Sequence, residues 1–458
     1  MNKKIILIDG SSMLMSNYYG SLPIRGENEL DKEYFDRIMH TQHRSNVIYT
    51  NGISVTLKKI LSLINKYHPA YMAVAFDKSR NTFRREEYPE YKGTRSEAPE
   101  PLKQQIIEIQ KILKAINIPV FASDKFEADD IIASIVKNNC SADLDVMIIT
   151  KDHDYYQLAS DNVTIWQPQN SKAKTDELYL KYGYSDTERA EMPPKTFPFT
   201  PSRIFDATGV MPYQIPDLKG LMGDISDNIP GVKGISAMTA APLLRKYDTI
   251  EGIYSALESD EKNFISECKK MNIKRCPTNA LKNGKSAAFM SKRLATMAIF
   301  EVIENIKSLS LNINIPELEK IISEYEITSA EGYVKTLSNW IESKKESTEN
   351  ILNVAIIGGM NADKEKIAAH IKYLTSAKIS NIYSNYPIKD VATVPLNIEE
   401  FNKMDNRAVI FVVYDGITDA ELQKIILLAK EYKKQDNIQI RFCVVKNKEN
   451  LANSKVIN

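Results

Sequence analysis

KIILID at residues 4–9 is a short apolar run closed by an aspartate, and the pattern returns as AYMAVAFD at 70–77 and DVMIITKD at 145–152. Continuous Ile, Val and Ala without alternation predicts strands buried on both faces. Between the last two runs, LKQQIIEIQKILKAI sets Leu102, Ile106, Ile109, Leu113 and Ile116 at helical spacing. Strand and helix in turn predict a parallel α/β sheet. Such sheets bind ligands beyond the carboxyl ends of their strands, where Asp9, Asp77 and Asp152 fall.

A chain of 458 residues exceeds one ordinary domain and predicts two or three. Its net charge of +1 excludes a uniformly basic surface, so any polyanion must meet a local patch. Cys140, Cys268, Cys276 and Cys443 form neither a disulfide framework nor a zinc spacing and read as reduced thiols. The opening apolar run is too short for a leader or a membrane span, so the expected location is cytoplasmic, with no membrane partner.

Two stretches interrupt the alternation and read as excursions on a compact core. Residues 24–50 are polar around His40, His43 and Arg44, where a solvated helix face is favoured over a metal site, and residues 170–200 are Lys, Thr and Pro rich around MPPKTFPF. From 200 to 340 the pattern is mostly helical, including TAAPLLRKY and MSKRLATMAIFEVIENI. The charged run ESKKESTEN reads as a linker, and ILNVAIIGG, RAVIFVVYDG and IQIRFCVV then open a second, smaller α/β domain. The expected division is a core at 1–215, a helical region at 216–340, a linker at 341–350 and the small domain at 351–458.

Nine acids arrive from five segments: Asp9; Asp77; Glu127, Asp129 and Asp130 of EADD; Asp152 and Asp154 of TKDHD; and Asp224 and Asp227 of LMGDISDNIPGVKG at 221–234. Singly they read as helix caps, macrodipole partners or turn residues. On one sheet edge they would repel unless cations neutralised them, and all-oxygen ligands favour Mg²⁺ or Mn²⁺. Two such ions suit in-line displacement at phosphorus, which predicts phosphodiester hydrolysis. SRNTFRREEYPEYKGTR at 79–95 interleaves Arg80, Arg84, Arg85, Lys92 and Arg95 with Phe83, Tyr88 and Tyr91. Cations for phosphates and rings for bases suit frayed or single-stranded nucleic acid; a solvated, salt-bridged helix is the plainer alternative, given Glu86, Glu87 and Glu90.

DGSS, AVAFDKS, TFRREEYPEYKGTR, EADD, TKDHDYYQL and LMGDISDNIPGVKG, in this order, resemble the bacterial 5′ nucleases. That family includes the 5′-3′ exonuclease domain of DNA polymerase I, its stand-alone relatives and, more distantly, the flap endonucleases, and the likeness covers roughly residues 1–300. It implies a PIN-like (resolvase-like) α/β nuclease core with a helical arch, then a helix-hairpin-helix. It implies that Asp9, Asp77, Glu127, Asp129 and Asp130 hold one metal ion and that Asp152, Asp154, Asp224 and Asp227 complete a second site. Arg84 and Lys92 fall on arch positions that contact the scissile phosphate, with Arg95 also on the nucleic acid, and Tyr91 on a ring that stacks the terminal base. Gly231, Gly234 and Ser236 belong to the hairpin that meets duplex phosphates.

The chain departs from the family at Ser236, where the second hairpin glycine is usual, and at Met238, where lysine is usual. If that backbone needs positive φ, Ser236 is strained and binding of duplex or of a monovalent ion suffers. The implied substrates are DNA with 5′ ends, flaps or nicks, with RNA primers a further class. RNA or RNA–DNA hybrid ends are the alternative substrate, and a non-catalytic module for branched nucleic acid is the alternative from another class. The small domain has Gly358 and Gly359 between a strand and a helix, a turn or a phosphate cradle, and reads as a protein- or nucleotide-binding accessory.

Overall fold

The computed structural model describes residues 3–42 and 49–349 and, beyond them, six strand segments reaching residue 457. The chain divides into two compact units, Met1–Leu337 and Ser338–Asn458. Among the described residues no helix is long and apolar enough to cross a membrane.

The first unit is built on strands β1 (Lys3–Asp9), β2 (Tyr71–Asp77), β3 (Val120–Ser123), β4 (Leu144–Ile149), β5 (Val163–Pro168) and β6 (Thr196–Phe199). They lie in the order β3-β2-β1-β4-β5-β6, all parallel except β6. In the central strand Ile5 pairs with Tyr71 on one side and Val146 on the other, and Ile5 to Ile8 are sealed from solvent. The apolar runs therefore stop together at one carboxyl edge. That edge carries Asp9, Asp77 and the turn to Asp152.

Helices α1 (Gly10–Gly20), α2 (Asp31–Gln42) and α3 (Asn51–Tyr67) link β1 to β2; α4 (Phe83–Glu87) and α5 (Glu100–Ala115) link β2 to β3. The arch expected over residues 80–115 is thus α4, a run of turns and α5. Helix α6 (Ala128–Asn139) precedes β4, and α7 (Lys172–Lys181) and α8 (Asp186–Ala190) precede β6. The stretch at 170–200 is therefore part of the sheet: Phe197 of β6 is fully buried among Tyr179, Tyr182 and Tyr184. His40 ends near the close of α2, while His43 and Arg44 lie outside the described residues.

Next come α9 (Pro201–Thr208), α10 (Ile215–Met222), α11 (Ala237–Tyr247), α12 (Ile250–Ser259), α13 (Glu261–Lys270), α14 (Thr278–Ala295), α15 (Ile315–Glu324) and α16 (Glu331–Glu349). One expectation is corrected. Helix α14 stops at Ala295, and MAIFEVIENI leaves the helix and straps α6 through bonds such as Ser134 Oγ to the Ala298 carbonyl and Asn138 to the Phe300 carbonyl. The run expected as a linker is helical through Glu349.

The second unit contains β7 (Ile351–Ile357), β8 (Lys378–Ser384), β9 (Thr393–Pro395), β10 (Arg407–Tyr414), β11 (Ile438–Val445) and β12 (Val456–Ile457). Its order is β9-β8-β7-β10-β11-β12, with only β12 antiparallel. This is the strand order of the first sheet over again. Gly358 and Gly359 lie outside the described residues.

Candidate active site

At the carboxyl edge of the first sheet a cavity of about 1160 Å³ is lined by Asp9, Asp77, Glu127, Asp129, Asp152, Asp154 and Asp224. Arg80, Arg85, Lys92 and Arg95 form its arch wall, and Lys151 and Lys219 approach from the other side. Seven of the nine expected acids thus share one cavity; Asp130 and Asp227 do not line it.

Capping and clustering turn out to be compatible. Asp9 Oδ1 accepts from Ser12 N at 2.9 Å to start α1, and its Oδ2 accepts from the Thr150 hydroxyl at 3.0 Å. Asp152 caps the 3₁₀ turn at 153–158 by accepting from Asp154 N. At the start of α6 Asp130 Oδ2 accepts from Glu127 N at 3.1 Å and Asp129 Oδ1 from Asp130 N at 2.7 Å, and Asp77 accepts from Ala128 N at 2.9 Å. Each bond uses one lone pair of a carboxylate oxygen and leaves others open.

The charges fall into two sets. Burial first, then Asp77, pushes Asp9 up to about 7; burial also pushes Asp129 well above the carboxylate range, with Asp130 and Glu127 adding to it against Arg84. Among the described residues Asp9, Asp77, Asp129 and Asp152 have no ion-pair partner. The remaining acids do: Lys92 Nζ lies 2.6 Å from Glu127, and Lys219 Nζ sits against Asp154 and 2.5 Å from Asp224. Burial opposes the charges of Glu127 and Asp224, yet Lys92 and Arg84 hold the first below its usual range, and Lys219 holds the second.

The donor set fits a hard divalent cation. Four carboxylates that form no ion pair among the described residues face one cavity, and the buried Tyr155 hydroxyl on its wall has no hydrogen-bond partner among them. No three His, Cys, Asp or Glu side chains among the described residues converge closely enough to hold one ion directly. Mg²⁺ keeps several of its waters, so carboxylates spaced across a cavity can hold it partly through them.

Four expected site residues have other work. Asp130 is fully buried and takes two 2.7 Å bonds from the Arg84 guanidinium, with a third from Ala298 N. Arg84 is 1% exposed and also bonds the carbonyls of Leu294 and Thr296. This pair pins α4 to α6 and the end of α14, and neither member lines the cavity. Tyr91 is 3% exposed and lines the same cavity; its hydroxyl meets Glu127 at 3.2 Å and Asp227 at 3.1 Å. Asp227 is a clasp: its carbonyl accepts from Lys92 N at 2.9 Å and its carboxylate pairs with Arg95 at 2.5 Å. Lys92 does line the cavity, held at φ 52 by that clasp.

The turn at 224–229 is closed by Asp224 and Ile229 exchanging both backbone bonds, at 2.9 and 2.8 Å. It opens the hairpin between α10 and α11. Gly231 and Gly234 adopt φ 60 and 89, whereas Ser236 sits at φ −105. The strain expected at Ser236 is therefore absent. Met238, on the first turn of α11, is 85% exposed. Sequence reading missed Lys219, although a lysine in the helix turn just before Asp224 is the signal that would have found it.

Two family descriptions match this chain: 5'-3' exonuclease, N-terminal resolvase-like domain, over residues 4–183, and 5'-3' exonuclease, C-terminal SAM fold, over 210–317. The chain belongs to the 5'-3' exonuclease family. Among its relatives, a 5'-3' exonuclease of Aquifex aeolicus is 32% identical over 262 residues, covering 57% of this chain and 76% of that one. DNA polymerase I of Bacillus caldotenax is 34% identical over 297 residues, 65% of this chain and 28% of that one. DNA polymerase I of Caldicellulosiruptor bescii is 34% identical over 316 residues, 69% and 30%. The chain thus spans less than a third of these polymerases. Among solved structures, the T5 5'-exonuclease with divalent metal ions (zinc) bound aligns with a TM-score of 0.43 at 21% identity, covering 64% of this chain and 89% of that one.

Proposed function

We propose that this protein is a divalent-metal-dependent nuclease that hydrolyses phosphodiester bonds at 5′ ends or 5′ flaps of DNA. The observation that carries the reading is the cavity in which Asp9, Asp77, Asp129 and Asp152, none in an ion pair among the described residues, face an arch wall of Arg80, Arg85, Lys92 and Arg95. Such a wall attracts a polyanion, and such acids repel it until cations intervene. Two magnesium or manganese ions held by the lining acids would supply charge neutralisation at the attacking and departing oxygens. The chain's own part is positioning. Lys92, fixed by the Asp227 clasp, presents an ammonium to the phosphate, and Arg80 bonds the carbonyls of Arg95 and Ser96 to brace the arch. Water gives a proton to solvent as its oxygen adds to phosphorus, the bond to the bridging oxygen breaks, and the released oxygen takes a proton from solvent. The exposed hairpin tip at Lys233 and Gly234 holds the duplex by its phosphates, without reading sequence, while Gly231, whose amide donates to Ser291 Oγ, shapes the turn.

The test incubates the full chain with Mg²⁺ and 5′-labelled flap, nicked and blunt substrates, made in matched DNA and RNA versions. Cutting of DNA flaps that Asp129→Ala and Asp152→Ala abolish supports the reading. Faster cutting of the RNA series transfers it to RNA ends. Tight binding with no turnover in Mg²⁺ or Mn²⁺ leaves a binding module.

A further inference from the structure

A second cavity, of about 1080 Å³, adjoins the acidic one across α1. Its walls come from α1, α3, the ends of β4 and β5, and the segment before β6 that the proposed chemistry does not use. Among the described residues no aspartate or glutamate lines it. Lys58, Lys59, Lys151 and Lys195 do, and none of them has an ion-pair partner among the described residues. Their contacts are neutral: Lys58 donates to the Ser329 hydroxyl, Lys59 to the Asn17 amide oxygen and Lys151 to that of Asn170. Burial first, then the charges of Lys151 and Lys195, draw Lys59 below its usual range, so the ammonium groups repel one another across this space. In a chain of net charge +1, an acid-free pocket of unneutralised lysines awaits an anion.

The two cavities share Ser12, Met15, Tyr19 and Lys151 as wall. Met15 is 42% and Tyr19 53% exposed on that shared face, where an apolar surface and a ring set edge-on to Tyr18 can carry a base. Amines, hydroxyls and a ring, without converging acceptors to read a base edge, suit a backbone of any sequence. We propose that this lysine-lined cavity is a second subsite for single-stranded nucleic acid, gripping phosphates of the strand that runs on from the acidic cavity along α1. The proposal rests on the nuclease reading for the strand's origin.

Binding is measured in EDTA, so it is independent of cleavage, by anisotropy of a 5′-flap duplex with a long single strand and of a nicked duplex without one. The triple variant Lys58→Gln, Lys59→Gln, Lys195→Gln leaves Lys151 in place because that residue also lines the acidic cavity. Losing three phosphate contacts flattens the salt dependence of flap binding by about two log units per decade of salt and weakens it about tenfold or more. Nicked-duplex affinity and cutting stay at the wild-type level, and the triple arginine variant restores flap affinity. Unchanged flap affinity, or equal loss on both substrates, overturns the subsite. So does full displacement of the flap's extra affinity by millimolar inorganic phosphate or a mononucleotide, which would make it a small-anion pocket. If wild type cuts nothing, the nuclease reading fails while the affinity difference still decides the subsite.

Discussion

Arg84 and Asp130 meet through two bonds of 2.7 Å, with both side chains closed off from solvent. Removing one partner of a buried pair strands the other charge, so Arg84→Ala is expected to cost about 3–5 kcal/mol of stability. Lysine cannot reproduce the paired geometry and is expected to rescue little. Urea denaturation checks the cost. Wild-type stability with a collapsed cleavage rate would return Arg84 to the phosphate.

Asp9 gives a pH signature in metal-free protein. Its carboxyl is raised from 3.8 to about 7, so below pH 4 it is protonated folded or unfolded and contributes nothing. From pH 4 to 7 the unfolded chain loses the proton while the folded chain keeps it, and stability falls by on the order of 4 kcal/mol at most. Asp9→Asn should remove that slope. Mg²⁺ should raise Tm more at pH 7.5 than at pH 5, because binding must displace the proton. A pH-independent Mg²⁺ effect would contradict this.

Tyr91→Phe keeps the ring and deletes the bonds to Glu127 and Asp227. The expected result is a stability loss of about 1–3 kcal/mol with KM for flap DNA unchanged. A pure KM effect at unchanged Tm would instead place the hydroxyl on the substrate.

Lys219→Met removes the ammonium between Asp154 and Asp224. Unshielded repulsion should lower Tm in EDTA, and Mg²⁺ should recover most of the loss. Equal losses with and without Mg²⁺ would make Lys219 a packing residue only.

In the hairpin, a Cβ on Gly231 would lie 2.2 Å from Gly223 N, whereas one on Gly234 meets nothing within 4 Å. Gly231→Ala should abolish duplex binding or folding. Gly234→Ala should cost only its left-handed backbone, about 1–2 kcal/mol. Ser236→Gly should leave duplex affinity unchanged, since that backbone is extended; a gain would contradict the geometry.

The sheet was legible because Ile5 to Ile8 and their counterparts are buried on both faces, which leaves an unbroken apolar signal ending in an acid. The acidic cavity was legible for the same reason, since strand ends share an edge. What stayed hidden depends on side-chain direction. Asp129 and Asp130 are neighbours in sequence, but on a helix they diverge, one to the cavity and one to Arg84. Tyr91 sits in a charged segment that reads as exposed, and only the fold brings Asp227 over it. The helical spacing of MAIFEVIENI misled because β-branched residues at 302, 303 and 306 also suit an extended strap.

The recurrence of one strand order in both units bears on how the chain assembles as it is made. All of β1 to β6 lie before residue 200, and β7 begins at 351. At ribosomal speeds the intervening stretch takes roughly 8–30 s to emerge. The earlier sheet can therefore close before its look-alike strands exist, and translation order itself keeps equivalent segments from exchanging places.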